Sequence, residues 1–269
     1  MAKNDWTTII SGGICTSGTQ VDLRSLDRVR VSSYHVVAGA VMWTGTMNTL
    51  YDMSIDGNLV ASNTGIVKMT IPNGAVALCG SAGGSCVLVG GRLDCNGETT
   101  LTDLDIISGG KVAVQGSSFI RDVTVCSSGK LSMYGNASAH RMTISGGASV
   151  TLYGQAEANK VHVCSGGFLE CWDDTHTSDV YVEDGAKFVC HDGAEVIYQR
   201  DSPQKPIEFG GVSASCGMTD HGLDTIYRAK VTVSERGAVE IQLPVPLNKV
   251  FQGSGGLSVT WKGADDDKR

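Results

Sequence analysis

The sequence predicts an all-β fold, a right-handed parallel β-helix (β-solenoid) with ~19-residue three-sided rungs. Three observations carry that reading. The stretch VTVCSSGKLSMYG (123–135) returns at i+19 as MTISGGASVTLYG (142–154), and at the same interval again as VHVCSGGFLECWD (161–173) and VYVEDGAKFVCHD (180–192). Apolar residues within each copy lie two apart, the spacing of a strand with one buried face. Glycine, Asn or Asp stands between the apolar pairs, where tight corners need positive φ.

The columns define the rung. Leu104, Val123, Met142, Val161 and Val180 form one, and Ile106, Val125, Ile144, Val163 and Val182 a second; Val125, Ile144, Val163 and Val182 are taken as the structural ladder. Val112, Leu131, Val150, Leu169 and Phe188 make a third. Cys95, Val114, Met133, Leu152, Cys171 and Cys190 make the fourth. Turns separate the strands at SGG (108–110, 145–147, 165–167), SSG (127–129) and EDG (183–185), and again at Gly116, Gly135, Gly154, Asp173 and Asp192. A third side of small residues, NASA, QAEA or DTHT, closes each rung. A leucine-rich repeat has a similar period, but its LxxLxLxxN frame is missing. One rung cannot bury its own apolar face, so the unit must be repeated and stacked at about 4.8 Å.

Organisation follows from where the pattern holds. Residues 1–50 read as an irregular N-terminal cap, and 51–245 as the β-helix, degenerate over 51–100 and regular over about 101–196. An insertion is expected at about 197–228, after which VTVSERGAVEIQL (231–243) restores the offsets; 246–269 reads as a solvated tail ending in GADDDKR. Composition agrees: 35 of 269 residues are Gly, 5 are Pro, and 18% are charged, against roughly 25% in ordinary soluble domains. With a net charge of −7 and no Lys/Arg cluster, a nucleic-acid partner is not expected. No apolar run is long enough for a transmembrane helix, and the start MAKNDWTTIISGG has no signal-peptide core.

The units DVTVCSSGKLSMYGNASAHRMTISGG and NKVHVCSGGFLECW resemble the short repeats of AIDA-type autotransporter passengers, over residues 100–196 and more loosely over 51–100 and 229–243. The resemblance implies a bacterial surface or secreted protein, without enzymatic activity or cofactor, acting in adhesion or self-association with a glycan or protein surface as partner. The chain departs from that family in lacking a translocator barrel and in carrying nine cysteines. The alternatives are a cytoplasmic scaffold resembling bactofilins, which suits free thiols and a missing signal, and a β-helical polysaccharide-active enzyme. Against the enzyme, the outward residues Thr124, Thr143, His162, Tyr181, Ser132, Thr151, Glu170 and Val189 make no catalytic cluster, and no GxSxG, HExxH or P-loop occurs.

Three features stand out as candidate sites. Tyr134, Tyr153, Trp172 and His191 follow the fourth column at the same i+19 interval and by alternation point outward, as a binding corner or as like side chains stabilising successive rungs. Asp173, Asp174, His176 and Asp192, with Asp179 and His191 nearby, offer ligands for Ca²⁺, although Asp173 and Asp192 also replace corner glycines, a structural task. Cys171 and Cys190 should stack within disulfide reach; the preferred reading is free thiols acting as small hydrophobes. Cys126 and Cys164, two rungs apart, are too distant to bridge.

Overall fold

In the computed structural model the chain is a β-solenoid of about ten turns with a spacing near 19 residues. The structure describes residues 8–26, 28–191 and 193–198, and beyond them the strands Ile207–Phe209, Val212–Cys216, Arg228–Val233, Val239–Gln242 and Leu257–Thr260. No helix occurs among the described residues, and none is therefore long and apolar enough to cross a membrane. Two sheets run the length of the stack, one of fourteen strands and one of thirteen. Up to Glu195–Tyr198 and Ile207–Phe209, successive strands of each sheet come from successive rungs and pair in parallel, Phe119–Val125 on Ser138–Ile144, for example, and Lys130–Met133 on Ser149–Leu152.

Three sides are visible in a single rung. Glu157–Ala158 forms the short side, Val161–Val163 the second and Phe168–Cys171 the third. Elsewhere the first two sides merge into one seven-residue strand. The small third segments found in the sequence face the interior. Ala137, Ala139, Ala156, Ala158, Thr175 and Thr177 point inward and are fully buried, and lower in the stack the Ala139 column widens to Ile120 and Leu101.

The second apolar column runs twice as far as the regular repeats suggested. Val182 stacks on Val163, Val163 on Ile144, Ile144 on Val125, Val125 on Ile106 and Ile106 on Val89. Ile71, Ile55, Val36 and Cys15 continue it downward, and no member is more than 2% exposed. Residues 8–50 are therefore rungs themselves and not an irregular cap: Thr8–Cys15 pairs with Val29–Val36, and Gln20–Leu23 with Val41–Thr44. The pattern was hidden by spacing, because Gln20 lies opposite Val41, at i+21. Ser33 takes φ 53° inside its strand and turns the chain at the corner that Asp179, at φ 50°, turns in a regular rung.

Residues 51–100 keep the same architecture on shorter rungs. Val41, Asn58, Ala75 and Arg92 are successive partners at i+17, and Leu50 lies opposite Ile66 at i+16. The saving is made at one corner. Asp56–Gly57 and Gly90–Gly91 turn the chain in two residues, where 107–110 and 126–129 take four. Gly57 and Gly91 permit this because a Cβ there would lie 2.3 Å from a carbonyl oxygen of the rung below. The corner expected to accept positive φ does so at each described position: Gly116 at 78°, Gly135 at 66°, Gly154 at 68° and Asp173 at 56°.

The upper end departs from expectation. Cys190 still pairs in parallel with Phe209, at i+19, so the register continues into the expected insertion. From there pairing turns antiparallel, Ile207–Phe209 with Val212–Cys216 and Val212–Cys216 with Leu257–Thr260. Arg228–Val233 and Val239–Gln242 likewise form an antiparallel pair, Val231 opposite Ile241, and so do not restore a rung. Two strands in the apolar rhythm of the rungs fit a hairpin equally well, because both give a period of two. The tail GADDDKR and Asp192 lie outside the described residues.

Candidate functional site

The aromatic corner forms as the spacing requires. Strands Lys130–Met133, Ser149–Leu152, Phe168–Cys171 and Lys187–Cys190 pair in register, so the residue after each lands at the same corner. Each backbone N–H there donates to the rung below, Tyr153 to Met133 O at 2.9 Å, Trp172 to Leu152 O at 3.0 Å and His191 to Cys171 O at 2.8 Å. The rings stack continuously. Tyr134 and Tyr153 have centroids 4.9 Å apart and planes at 3°, Tyr153 and Trp172 are at 6.5 Å and 15°, and Trp172 and His191 at 3.3 Å and 9°. The His191 ring is held from its edge by Glu170, Nε2 to Oε1 at 3.0 Å.

Exposure is graded along this stack. Tyr134 is 38% exposed, while the three rings above it are half-buried. Burial, and next the neighbouring Tyr134, lift the Tyr153 hydroxyl above its ordinary pKa. The indole Nε1 of Trp172 is buried without a hydrogen-bond partner. An indole N–H in that position is an unmet donor, and such groups cost stability unless something accepts from them.

Among the described residues the acidic group does not converge as a metal site. Asp173 and Asp174 are exposed, and Asp173 takes a corner glycine's conformation while its Oδ2 accepts from Gly154 N at 3.3 Å. Asp173, Asp174 and His176 do not bring three ligand atoms together, and Asp192 lies outside the described residues. The physical reason is geometric: Asp173 is turned to serve its own corner.

Another cluster does converge, and it lies on the neighbouring sheet. His162 and Cys164 stand two apart and both face outward, flanking the buried Val163. Glu183, one rung higher and at i+19 from Cys164, completes the group. His162 Nε2 is 2.9 Å from Glu183 Oε1, and Ser165 N donates to Glu183 Oε2 at 3.0 Å. The side-chain nitrogen, sulfur and carboxylate oxygen lie within 4.8 Å of one another. Tyr181 meets the His162 ring edge-on, with centroids 4.9 Å apart. The backbone N–H of Ser165, and next His162, hold the Glu183 carboxyl below its usual range. Burial, with Glu183 adding to it, raises the Cys164 thiol. Sequence reading placed His162 outward and Cys164 at its turn without joining them to Glu183. The signal was HxC at one strand with an acid at i+19 from the Cys.

The described cysteines are free thiols. Cys171 and Cys190 are register partners, fully buried, and burial first and the facing Cys171 second push the Cys190 thiol well up. The remaining outward chemistry is ion pairing across rungs. Asp122 accepts from Arg141 Nε and, at 2.8 Å, from Arg141 Nη2; Arg121 Nε donates to it at 2.9 Å, and Arg121 Nη2 approaches Asp103 at 3.7 Å. Asp103 and Asp122 are register partners, and Arg121, reaching both, offsets the like charges that the register stacks. No protein-family model matches the chain, and no curated protein is significantly similar to it.

Proposed function

We propose that this chain is a non-enzymatic module of a bacterial surface or secreted protein, acting in adhesion or self-association through the lateral face of the solenoid. The observation that carries the reading is the unbroken ring stack from Tyr134 to His191, a flat apolar stripe across four rungs with its most exposed ring at the lower end. Aromatic faces of this kind suit sugars and flat protein surfaces. From Thr8 to Tyr198, rungs this short, joined by corners of two to five residues, leave little chain for loops that would wall a groove. Binding would be spread over repeated weak contacts, so its strength would come from multivalency.

The test is bead aggregation by the purified protein beside its variants. Tyr153→Ser should weaken aggregation modestly, and Tyr134→Ser, Tyr153→Ser and Trp172→Ser together should weaken it much more. Aggregation untouched by the triple change removes the corner from the reading. Turnover of a polysaccharide by the same preparation, lost in Asp174→Asn, replaces the reading with an enzyme.

A second reading is favoured by a specific observation. Eight described cysteines are free, and several lie in the core, as in proteins kept in a reducing compartment. That supports a cytoplasmic scaffold resembling bactofilins, polymerising end to end. Filaments visible by electron microscopy, unaffected by the triple aromatic change, would favour it.

A further inference from the structure

We propose that His162, Cys164 and Glu183 form a binding site for a divalent cation of the zinc class. An imidazole nitrogen, a thiolate and a carboxylate together select borderline metals such as zinc or cobalt over calcium or magnesium, which take oxygen ligands. A neutral His, a thiolate and a carboxylate carry two negative charges, which a divalent ion neutralises.

The backbone fixes the arrangement. His162 and Cys164 share one outward face because one buried residue separates them, and Glu183 sits above Cys164 because Val163 and Val182, the residues before them, are register partners. The surroundings already orient two of the three ligands. Ser165 N holds one Glu183 oxygen at 3.0 Å and leaves the other facing His162, while Tyr181 sets the imidazole plane from its edge. Such supporting contacts position ligands in metal sites.

Small rotations separate the metal-free arrangement from a bound one. The Nε2 to Oε1 contact of 2.9 Å must open to admit an ion with ligand distances of about 2.0 to 2.3 Å. On binding, the Cys164 thiol releases its proton to solvent and its sulfur lone pair goes to the metal. His162 binds as neutral imidazole through the Nε2 lone pair, its proton held on Nδ1, and Glu183 contributes a carboxylate oxygen. No electron is transferred. Three protein ligands leave a fourth tetrahedral position, which water fills.

The experiment is a cobalt titration of the full chain, purified metal-free under reductant. Cobalt should bind with one equivalent to this site and give a thiolate-to-cobalt charge-transfer band with the intense visible bands of a four-coordinate ion. Zinc should abolish both, and magnesium or calcium in excess should not. Cys164→Ser should remove the charge-transfer band, and His162→Gln and Glu183→Gln should each weaken cobalt binding at least tenfold. Cys126→Ser and Cys86→Ser, at other outward positions, should leave the spectrum unchanged. Circular dichroism of each variant establishes that the solenoid is intact; should Cys164→Ser fail that check, alkylation of Cys164 in the folded protein replaces it. A charge-transfer band that survives loss of the Cys164 thiol, or vanishes equally with Cys126→Ser, overturns the proposal. So does cobalt binding that magnesium displaces.

Discussion

Placing a carboxylate at residue 144 separates the inside of the solenoid from its outside. Ile144 is fully buried, stacked between Val125 and Val163, and Thr143 beside it faces outward between Thr124 and His162. Ile144→Ala alone removes three carbon groups at about 0.8 kcal/mol each, near 2.4 kcal/mol, and cavity costs bring such changes into the range of about 2 to 5 kcal/mol. Ile144→Asp adds an ionisable group with no partner in an interior lined by aliphatic side chains. It can remain charged at a large desolvation cost or take up a proton and bury an unpaired hydroxyl, and either route adds roughly 1 to 3 kcal/mol or more. A total of about 4 kcal/mol or more is expected. Thr143→Asp forfeits only β-propensity, within about 1 kcal/mol. Urea denaturation followed by circular dichroism measures both. Repeat proteins unfold as coupled neighbouring units, so amplitude is read along with midpoint. Equal losses for the two variants would refute the inward and outward assignment and with it the stacked register.

Three further outcomes follow from named positions. A thiol reagent applied to the folded protein should label exposed Cys86 rapidly, and buried Cys95, Cys171 and Cys190 only in denaturant; rapid native labelling of Cys95, whose thiol burial pushes up to about 12, would contradict its place in the core. Asp173→Gly should leave stability nearly unchanged, whereas Asp173→Val should lose about 1 to 2 kcal/mol because a β-branched residue resists φ 56°; thermal melts showing the two alike would remove the corner argument. The Arg141 guanidinium holds the Asp122 carboxyl below its ordinary range, so its stabilisation is full above the unfolded-chain pKa of ~3.9 and is lost as pH falls through the lower folded value. The gap in urea midpoint between the protein and Asp122→Asn should therefore be steady from about pH 7 to pH 5 and close in stronger acid, and a gap that widens on acidification would reverse the sign of the pair.

What was legible in the sequence is what the interior enforces. Val125, Ile144, Val163 and Val182 must all be apolar because all stack inside, and a fixed rung length turns that demand into a visible period. The aromatic corner was legible for the same reason, since like residues at one spacing share one corner. Rungs whose length varies lose the signal although they keep the structure. Ile71 and Val89 belong to the same column as Val125, but shorter corners such as 56–57 and 90–91 bring their spacing down to 16–18 residues.

Outward contacts run diagonally as well as straight across, which explains why the His162–Glu183 contact was not seen beforehand. A side chain on the surface of a parallel stack reaches one rung over and two residues along as readily as straight across. His35 meets Asp56 at 2.8 Å and His162 meets Glu183 at 2.9 Å, each pair at i+21, and Glu170 meets His191 at 3.0 Å over the same interval. In the regular region that interval is one full rung plus a step of two along the strand, so both partners keep to the outer face. A search for columns at i+19 sees none of these pairs. One at i+21 sees all three, each a histidine with a carboxylate, and among the described residues only around His162 does a cysteine stand within reach as a third donor. The i+19 period therefore encodes the fold and the straight ladders, and the diagonal interval adds the histidine–carboxylate pairs of the surface.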